Sequence, residues 1–206
     1  MKGTRHNGRS GKDGVYNPLH NDRRFDPEHS EHIDNERVRQ NIYWDCYQGY
    51  TTMEDRGKED NFSFSQIEMA YYSEHYSDYV INQNKRHEKA RHPDRCKGVE
   101  EILKNKKTCP EESIYQLGTI DEHASVETLI RVFDEFKKEF DERFGSNVHI
   151  IDWSLHMDES TPHIHERHVF DATNRYGEIE PKQEAALEEL LSLIHISEPT
   201  RLGMIS

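Results

Sequence analysis

The 206-residue chain is polar: 33% of its residues are hydrophobic, 33% are charged, and its formal net charge is −13. This length suits one domain with its own core, and no apolar run is long enough to span a membrane. No secretory leader opens the chain, and its 3 cysteines form no C-x-x-C pair, which indicates reduced thiols and a cytoplasmic location. Composition thus argues against a membrane-spanning protein and a disulfide-stapled secreted domain.

The acidic excess lies in the second half of the chain. Residues 1–107 carry 19 Lys and Arg against 19 Asp and Glu, whereas residues 108–206 carry 8 against 21. Because local patches decide where a polyanion binds, contacts to nucleic-acid phosphates have to come from the first half. We expect non-specific binding to duplex DNA to be weak.

The first half of the chain holds one strong helical signal. Residues 1–16 are rich in glycine and polar residues, and we predict a mobile segment there. Residues 35–50 are polar and aromatic, typical of a strand or a short helix. An apolar and tyrosine stripe over residues 64–92 predicts an amphipathic helix that stops before Pro93. The tyrosines at 71–79 are interpreted as helix core rather than as a base-stacking surface.

The second half alternates between strand and helix patterns. Residues 113–120 read as a strand, and Ser125 is the expected N-cap of a helix over 128–144 that Gly145 ends. Two strands, 148–156 and 163–170, precede a turn at 176–177 and a helix that begins at 181. This order predicts an α+β fold, an antiparallel sheet with helices packed on one face.

Three histidines lie within ten residues, His156-Met-Asp-Glu-Ser-Thr-Pro-His163-Ile-His165. His163 and His165 are two apart, so on a strand their imidazoles point to one face. The residues from Asp158 to Pro162 favour a turn that brings His156 beside them. Three neutral imidazoles with open positions predict a catalytic divalent-metal site, with Mn²⁺ favoured over Mg²⁺ because imidazole suits it better. The alternative is a merely polar hairpin.

This ten-residue pattern resembles the metal motif of the MobV/Pre relaxases, plasmid mobilisation and recombination enzymes of the HUH endonuclease superfamily. An upstream match supports it: His20-Asn21-Asp22-Arg23, followed by Asn41-Ile-Tyr43, resembles the first motif of that family. The resemblance covers roughly residues 17–182. It implies a relaxase catalytic domain, placed at 17–190, with a strand ahead of His20 that the sequence does not show.

The resemblance also implies roles for single residues. His156, His163 and His165 hold the metal, and His20 is the nucleophile that forms a phosphohistidine link with the cleaved strand. Arg23 lies near the phosphate, and Glu159 orients or deprotonates the nucleophile or adds a metal contact. The predicted DNA contacts are Asn21, Arg24 and Asn41. The implied partner is single-stranded or supercoiled origin DNA of a plasmid in bacterial cytoplasm; the sequence leaves the oligomeric state open.

Several alternatives remain at this point. His6-Asn7-Gly8-Arg9 repeats the upstream pattern without the later Asn-x-Tyr, and Tyr16 or Tyr43 could replace His20 as nucleophile. The chain could be a relaxase that binds origin DNA without cutting it. A third class is a metal hydrolase, because residues 163–168 resemble the His-x-His-x-Asp-His box of metallo-β-lactamases. Arg167 stands where that box needs an aspartate, and His168 alternates to the opposite face.

The end of the chain looks foreign to the rest. Residues 191–206 resemble the in-frame translation of a sequencing adapter, and we predict that this tail is not native and adds nothing to the fold. His195 is therefore excluded as a metal ligand.

Overall fold

The computed structural model describes residues 3–11, 14–23, 33–34, 36–58, 60–119 and 121–197. The strands are β1 (Gly3–Gly8), β2 (Ser10–Gly11), β3 (Gly14–Val15), β4 (Ile42–Asp45), β5 (Gly49–Thr52), β6 (Glu111–Leu117), β7 (Val148–His156), β8 (His163–Thr173) and β9 (Ile179–Pro181). The helices are α1 (Met53–Arg56), α2 (Phe64–Lys89), α3 (Val99–Leu103), α4 (Val126–Phe144) and α5 (Gln183–Ser197). None of the helices in this part of the chain is long and apolar enough to cross a bilayer.

The centre of the fold is an antiparallel sheet in the order β1-β6-β8-β7-β4-β5, with β9 paired to the end of β8. The β2–β3 pair forms a separate small hairpin. The two middle strands, β7 and β8, are buried along most of their length. This arrangement confirms the predicted α+β class with an antiparallel sheet.

The helices differ from the prediction in one respect, because α2 and α4 cover opposite faces of the sheet. Ile151 packs with the tyrosines of α2, whereas its neighbour Ile150 packs with Leu129 and Phe133 of α4. Adjacent strand residues point to opposite faces. Both faces need a cover because the middle strands are apolar or buried on both sides.

A β-bulge in β7 sets which side chains reach the α2 face. The pairing with β8 skips one residue between Ile150 and Asp152. Beyond the skip, Trp153 and Leu155 join the α4 core, so Asp152, Ser154 and His156 face the other side. If the same residues paired with β8 without the bulge, His156 would lie on the α4 face with Ile150, because a one-residue shift exchanges the two faces.

The helix ends follow the expected local chemistry. Ser63 caps α2 through a reciprocal pair of hydrogen bonds with Gln66. Ser125 caps α4, which ends at Gly145 as predicted. Residues 36–50, the described part of the segment left open between strand and helix, contain a 3₁₀ turn followed by β4 and the beginning of β5.

Residues 1–16 were predicted to be a mobile segment, but residues 3–8 of it form a strand. Residues 3–8 form β1, which pairs along its whole length with β6. Arg5 donates hydrogen bonds to Ser113, and Asn7 donates one to Glu111 at 2.7 Å. The sequence hides this strand because it is a mostly exposed edge strand without an apolar face. It supplies the strand ahead of His20 that the family resemblance implied.

The predicted foreign tail begins inside α5. That helix buries Ala186 and Leu190, and its backbone continues to Ser197. Leu191 is 57% exposed. Residues 198–206 lie outside the described residues.

Ending the chain at Leu190 is expected to leave the melting temperature unchanged within error, because unpacked ends contribute little to stability. Thermal unfolding followed by circular dichroism measures this. As a matched control, Leu190→Ala in the full chain removes a buried side chain and is expected to cost about 2 kcal/mol or more. A shortened chain as unstable as Leu190→Ala would show that the tail belongs to the fold.

Candidate active site

Three buried histidines meet at one end of the central strand pair. His156, the last residue of β7, lies directly opposite His163, the first residue of β8, and His165 follows two positions later on the same face. The ring centroids are 5.5 Å apart for His156 and His163, 4.8 Å for His156 and His165, and 4.9 Å for His163 and His165. The hairpin predicted from the ten-residue window is therefore present.

Each of these histidines is held by an acceptor on one ring nitrogen. The Nδ1 atom of His163 lies 2.7 Å from the Thr161 carbonyl oxygen. The Nδ1 atom of His165 lies 3.1 Å from Glu112 Oε1, and His156 Nε2 lies 2.9 Å from the Asn21 carbonyl oxygen. Carbonyl and carboxylate oxygens only accept, so these nitrogens carry the protons. The opposite nitrogens are then unprotonated in the neutral rings, the arrangement that orients metal-binding histidines.

The unprotonated nitrogens converge. Nε2 of His163 and Nε2 of His165 are 3.0 Å apart with no proton to share between them. Nδ1 of His156 is buried without a hydrogen-bond partner in the described chain, 3.5 Å from Glu159 Oε1, while Glu159 Oε2 is 3.7 Å from His163 Nε2. Lone pairs and a carboxylate that face one another without protons repel unless a cation lies among them. Imidazole with carboxylate is a donor set that fits a divalent transition metal.

The metal-competent atoms form two overlapping groups within the described residues. His20, His156 and His165 offer nitrogens within 4.8 Å of one another, and so do His156, His163 and the carboxylate of Glu159. Of the three predicted ligands, His165 belongs to the first group, His163 belongs to the second, and His156 belongs to both. Glu159 belongs to the second group, and its role as a further metal contact stays a prediction.

His20 lies over the cluster. Its ring centroid is 5.5 Å from that of His156 and 5.4 Å from that of His165. Its Nε2 atom is 3.6 Å from Glu159 Oε1, and its side chain is 51% exposed. An accessible imidazole beside buried ones is suited to meet a bulky substrate. The competing His6 lies exposed on β1 and belongs to neither group.

Arg23 is buried below His20 and binds Asp158 and Glu159, the two acidic residues in the turn between β7 and β8. Its guanidinium donates two hydrogen bonds to Asp158, at 2.9 and 2.8 Å, and one to Glu159 at 2.7 Å. Burial raises the pKa of each carboxyl, but the hydrogen bonds from Arg23 lower the pKa of both below the ordinary range, and the nearby imidazoles of His156 and His20 lower that of Glu159 further. Arg23 was expected near the phosphate. In this structure its guanidinium N–H groups are instead hydrogen-bonded to the carboxylates of Asp158 and Glu159.

Glu112 was missed by the sequence reasoning. This β6 residue accepts from His165 through Oε1, while Oε2 accepts from the Asn21 side chain at 2.9 Å and from Arg167 at 3.4 Å. Burial opposes ionisation, but the hydrogen bond from His165, the charge of Arg167 and the hydrogen bond from Asn21 lower the pKa of Glu112 to about 2. Only the pairing of β6 with β8 brings it to the site, so no local motif could have shown it.

The predicted DNA contacts fare differently. Asn21 and Asn41 are both buried: the side chain of Asn21 donates to Glu112, and the side-chain oxygen of Asn41 accepts from the Met157 backbone at 2.7 Å. In this structure both asparagines support the site from within, and direct DNA contact by them finds no support. Arg24 lies outside the described residues.

The two alternative nucleophiles, Tyr43 and Tyr16, differ in exposure to solvent. Tyr43 is fully buried under α1 and α2, and burial raises its pKa to about 12, so it is not available to attack DNA. Tyr16 is exposed and lines the same cavity as His20. It stays open as the second candidate.

The metallo-β-lactamase-like box is not assembled. Arg167 is buried and pairs with Glu68 and Glu112, so a cation stands where an anionic ligand is needed. His168 points to the opposite face, where it contacts Glu166 and Phe140. Only His163 and His165 of that pattern reach the cluster.

The chain is similar in sequence and in fold to proteins of one family. A sequence model of the family Mob_Pre, described as plasmid recombination enzyme, matches residues 58–191. Among solved structures, the chain is similar to a Mn-bound crystal structure of the MobM relaxase domain (MOBV; Mob_Pre) with plasmid pMV158 oriT DNA. The TM-score is 0.53 at 19% identity, over 94% of this chain and 81% of that one. A second MobM structure with oriT DNA matches with a TM-score of 0.48 at 19% identity, covering 82% and 70%. No curated protein is significantly similar in sequence.

The buried histidines make the metal-free protein sensitive to mild acid. Burial lowers the pKa of His156 to about 3 and also lowers that of His163. The unfolded chain takes up these protons below its ordinary pKa of about 6.5 while the folded chain does not, so stability falls as the pH falls below that value. The lowered pKa values of Asp158, Glu159 and Glu112 affect stability only near pH 4, where these carboxyls titrate in the unfolded chain. Between pH 7 and pH 5, His156 is expected to contribute a loss of up to about 2 kcal/mol.

Urea unfolding in EDTA at both pH values measures this loss, which His156→Gln is expected to reduce. The control His6→Gln removes an exposed histidine and should leave the loss unchanged. If the parent chain, His156→Gln and His6→Gln lose equal stability between pH 7 and pH 5, buried His156 is not the cause of the loss.

Proposed function

The chain belongs to the Mob_Pre family of plasmid recombination enzymes, and we propose that it is a relaxase that nicks and rejoins one strand of plasmid DNA at an origin of transfer. The observation that carries this proposal is the exposed imidazole of His20 beside a buried cluster of unprotonated ring nitrogens. The MobM relaxase domain, whose fold the chain shares, was crystallised with oriT DNA and Mn. The proposed partner is single-stranded or supercoiled origin DNA in the bacterial cytoplasm.

The metal in this proposal is held by His156, His163 and His165, and Glu159 adds a carboxylate oxygen. The fit rests on the unpartnered His156 Nδ1 and on the two facing nitrogens of β8. Mn²⁺ is the preferred ion and Mg²⁺ the alternative, since imidazole nitrogen is a poor ligand for Mg²⁺. When bound, a divalent ion polarises a phosphate oxygen and stabilises the charge that develops during cleavage.

The nucleophile in this proposal is His20. A neutral imidazole attacks the scissile phosphorus through a ring nitrogen, the P–N bond forms, and the bond to the 3′-oxygen breaks. The leaving oxygen takes a proton from water, and the 5′-phosphoryl end stays on the protein. Attack by a 3′-hydroxyl reverses these steps and rejoins the strand. The phosphoramidate keeps the bond energy that rejoining needs, which suits a transferase more than a hydrolase.

Glu159 and Arg23 position this nucleophile. Both approach the ring of His20, with Arg23 Nη1 at 3.3 Å and Glu159 Oε1 at 3.6 Å from Nε2. The lowered pKa of Glu159 keeps it ionised at neutral pH. As a carboxylate it accepts a hydrogen bond from the ring N–H of His20, and that proton passes to water when the P–N bond forms. Arg23 fixes that carboxylate and offsets its charge near the DNA phosphate.

The second reading is a relaxase-like protein that binds origin DNA without cutting it. The two readings agree on fold and partner and differ only in chemistry. They are separated by whether a covalent protein–DNA link forms.

Replacing both His163 and His165 by alanine is expected to weaken Mn²⁺ binding by more than about 100-fold, because loss of an outer partner of a ligand alone costs 10- to 100-fold. Electron paramagnetic resonance of free Mn²⁺, titrated into purified protein, measures this without any DNA. Binding should also weaken below about pH 6 as the imidazoles protonate. His6→Ala is the matched control and should bind like the parent chain. Undiminished binding by the double variant would rule out this site.

With Mn²⁺ and a single-stranded oligonucleotide that carries the cognate origin, a covalent protein–DNA adduct is expected. It should be labile to acid, as a phosphoramidate is, and mass spectrometry should place it on His20. His20→Ala should abolish it, whereas His6→Ala should not. An acid-stable adduct that survives in His20→Ala would identify a tyrosine, with Tyr16 the first to test. No adduct under any condition would favour binding without cleavage.

A further inference from the structure

A cavity of about 500 Å³ borders His20 and is not used by the chemistry described above. Its walls come from the β2–β3 hairpin, from the segment that follows it, and from β6; they include Gly11, Gly14, Tyr16, Asn17, His20 and Glu112. Ligand sites in proteins commonly measure about 300–1,000 Å³. The cavity is therefore large enough for part of a nucleotide next to the attacking residue.

Tyr16 is the aromatic side chain of this cavity, and the hairpin holds it in place. A Cβ atom added to Gly11 would meet Tyr16 Cε1 at 3.2 Å, and one added to Gly8 would meet Cε2 at 3.5 Å. The ring thus rests on the backbone of two glycines, and the Tyr16 amide donates to the Arg9 carbonyl at 3.0 Å. Even so, Tyr16 is 39% exposed. It offers an aromatic surface that is supported from behind and open towards the cavity.

The charge of the cavity favours an uncharged ligand group. Glu112 lies in its wall, where its two carboxylate oxygens accept from His165, Asn21 and Arg167. A carboxylate repels a phosphate in the same space. A nucleobase carries no charge and stacks on an aromatic ring whatever its sequence. The phosphate of a bound strand is then directed to the histidine cluster, and a base to the cavity.

We propose that this cavity binds a nucleobase of the strand to be cleaved, next to the phosphate that His20 attacks, with Tyr16 as the stacking surface. The proposal rests on the proposed relaxase function for the position of the phosphate. His20 borders both the cavity and the cluster, so a strand that spans them presents consecutive groups to each. Tyr16 then fixes which phosphate lies before the nucleophile.

The test compares two ligands of equal charge in EDTA, where no metal-dependent cleavage occurs. One is the single-stranded oligonucleotide dT12, and the other is an abasic sugar-phosphate chain of the same length. Fluorescence anisotropy at low salt gives both dissociation constants. The parent chain is expected to prefer dT12, and Tyr16→Ala is expected to weaken dT12 binding between about 5-fold and 100-fold, the equivalent of about 1–3 kcal/mol of stacking. Binding of the abasic chain should not change.

Two further variants separate stacking from general damage. Tyr16→Phe keeps the ring and should bind dT12 within about twofold of the parent chain. Tyr47→Ala removes another tyrosine of similar exposure, 46%, in the β4–β5 turn, and should have no effect. If Tyr16→Ala leaves the preference for dT12 intact, or weakens both ligands equally, the base site is overturned.

Failure of this proposal is distinguishable from failure of the relaxase function. Origin nicking in Mn²⁺ with no Tyr16-dependent preference for bases overturns the cavity assignment alone. A Tyr16-dependent preference in a chain that forms no covalent adduct with origin DNA overturns the nucleophilic role of His20 and supports the base site.

Discussion

The ion pair between Arg23 and Asp158 holds the site together. These residues are 135 positions apart, and both side chains are almost completely excluded from solvent. The pair fastens the segment that carries His20 to the turn between the two central strands. Removing one partner of such a pair leaves a buried charge and typically costs about 3–5 kcal/mol. Arg23 also adopts φ of 53°, a left-handed conformation that a non-glycine residue keeps only when its surroundings fix it.

Around this pair the protein separates two kinds of histidine. His156, His163 and His165 are buried, and each has one ring nitrogen hydrogen-bonded to an acceptor, which fixes the direction of the other nitrogen. His20 comes from a turn, keeps half of its side chain in solvent, and approaches the same point from outside. Glu112 links the two sets, because it accepts from His165 and from the side chain of Asn21, whose carbonyl accepts from His156. One β6 carboxylate thus orients two buried rings.

The site includes a carboxylate that faces the imidazoles, and the proposed metal explains how such a site could bind a phosphate. Glu159 faces the imidazoles of His20, His156 and His163 within 3.5–3.7 Å. Without a cation this carboxylate would repel a phosphate. A divalent ion among the rings would offset this negative charge, although the net charge of the chain is −13. In the proposed relaxase, the acidic half of the chain supplies the metal ligands, and the ion supplies the attraction for phosphate.

The sequence by itself determined the features that depend on neighbours along the chain. The spacing of His163 and His165, the turn after His156, the caps at Ser125 and Gly145 and the long helix after Ser63 all follow from local periodicity and hydrogen bonding. Only the tertiary structure decided the rest. Glu112 and Arg23 reach the cluster through strand pairing and a buried ion pair, and the bulge before Asp152 sets the face on which His156 lies. β1 forms only because β6 offers it an edge. These contacts join residues far apart in the chain, and no local pattern encodes such a distance.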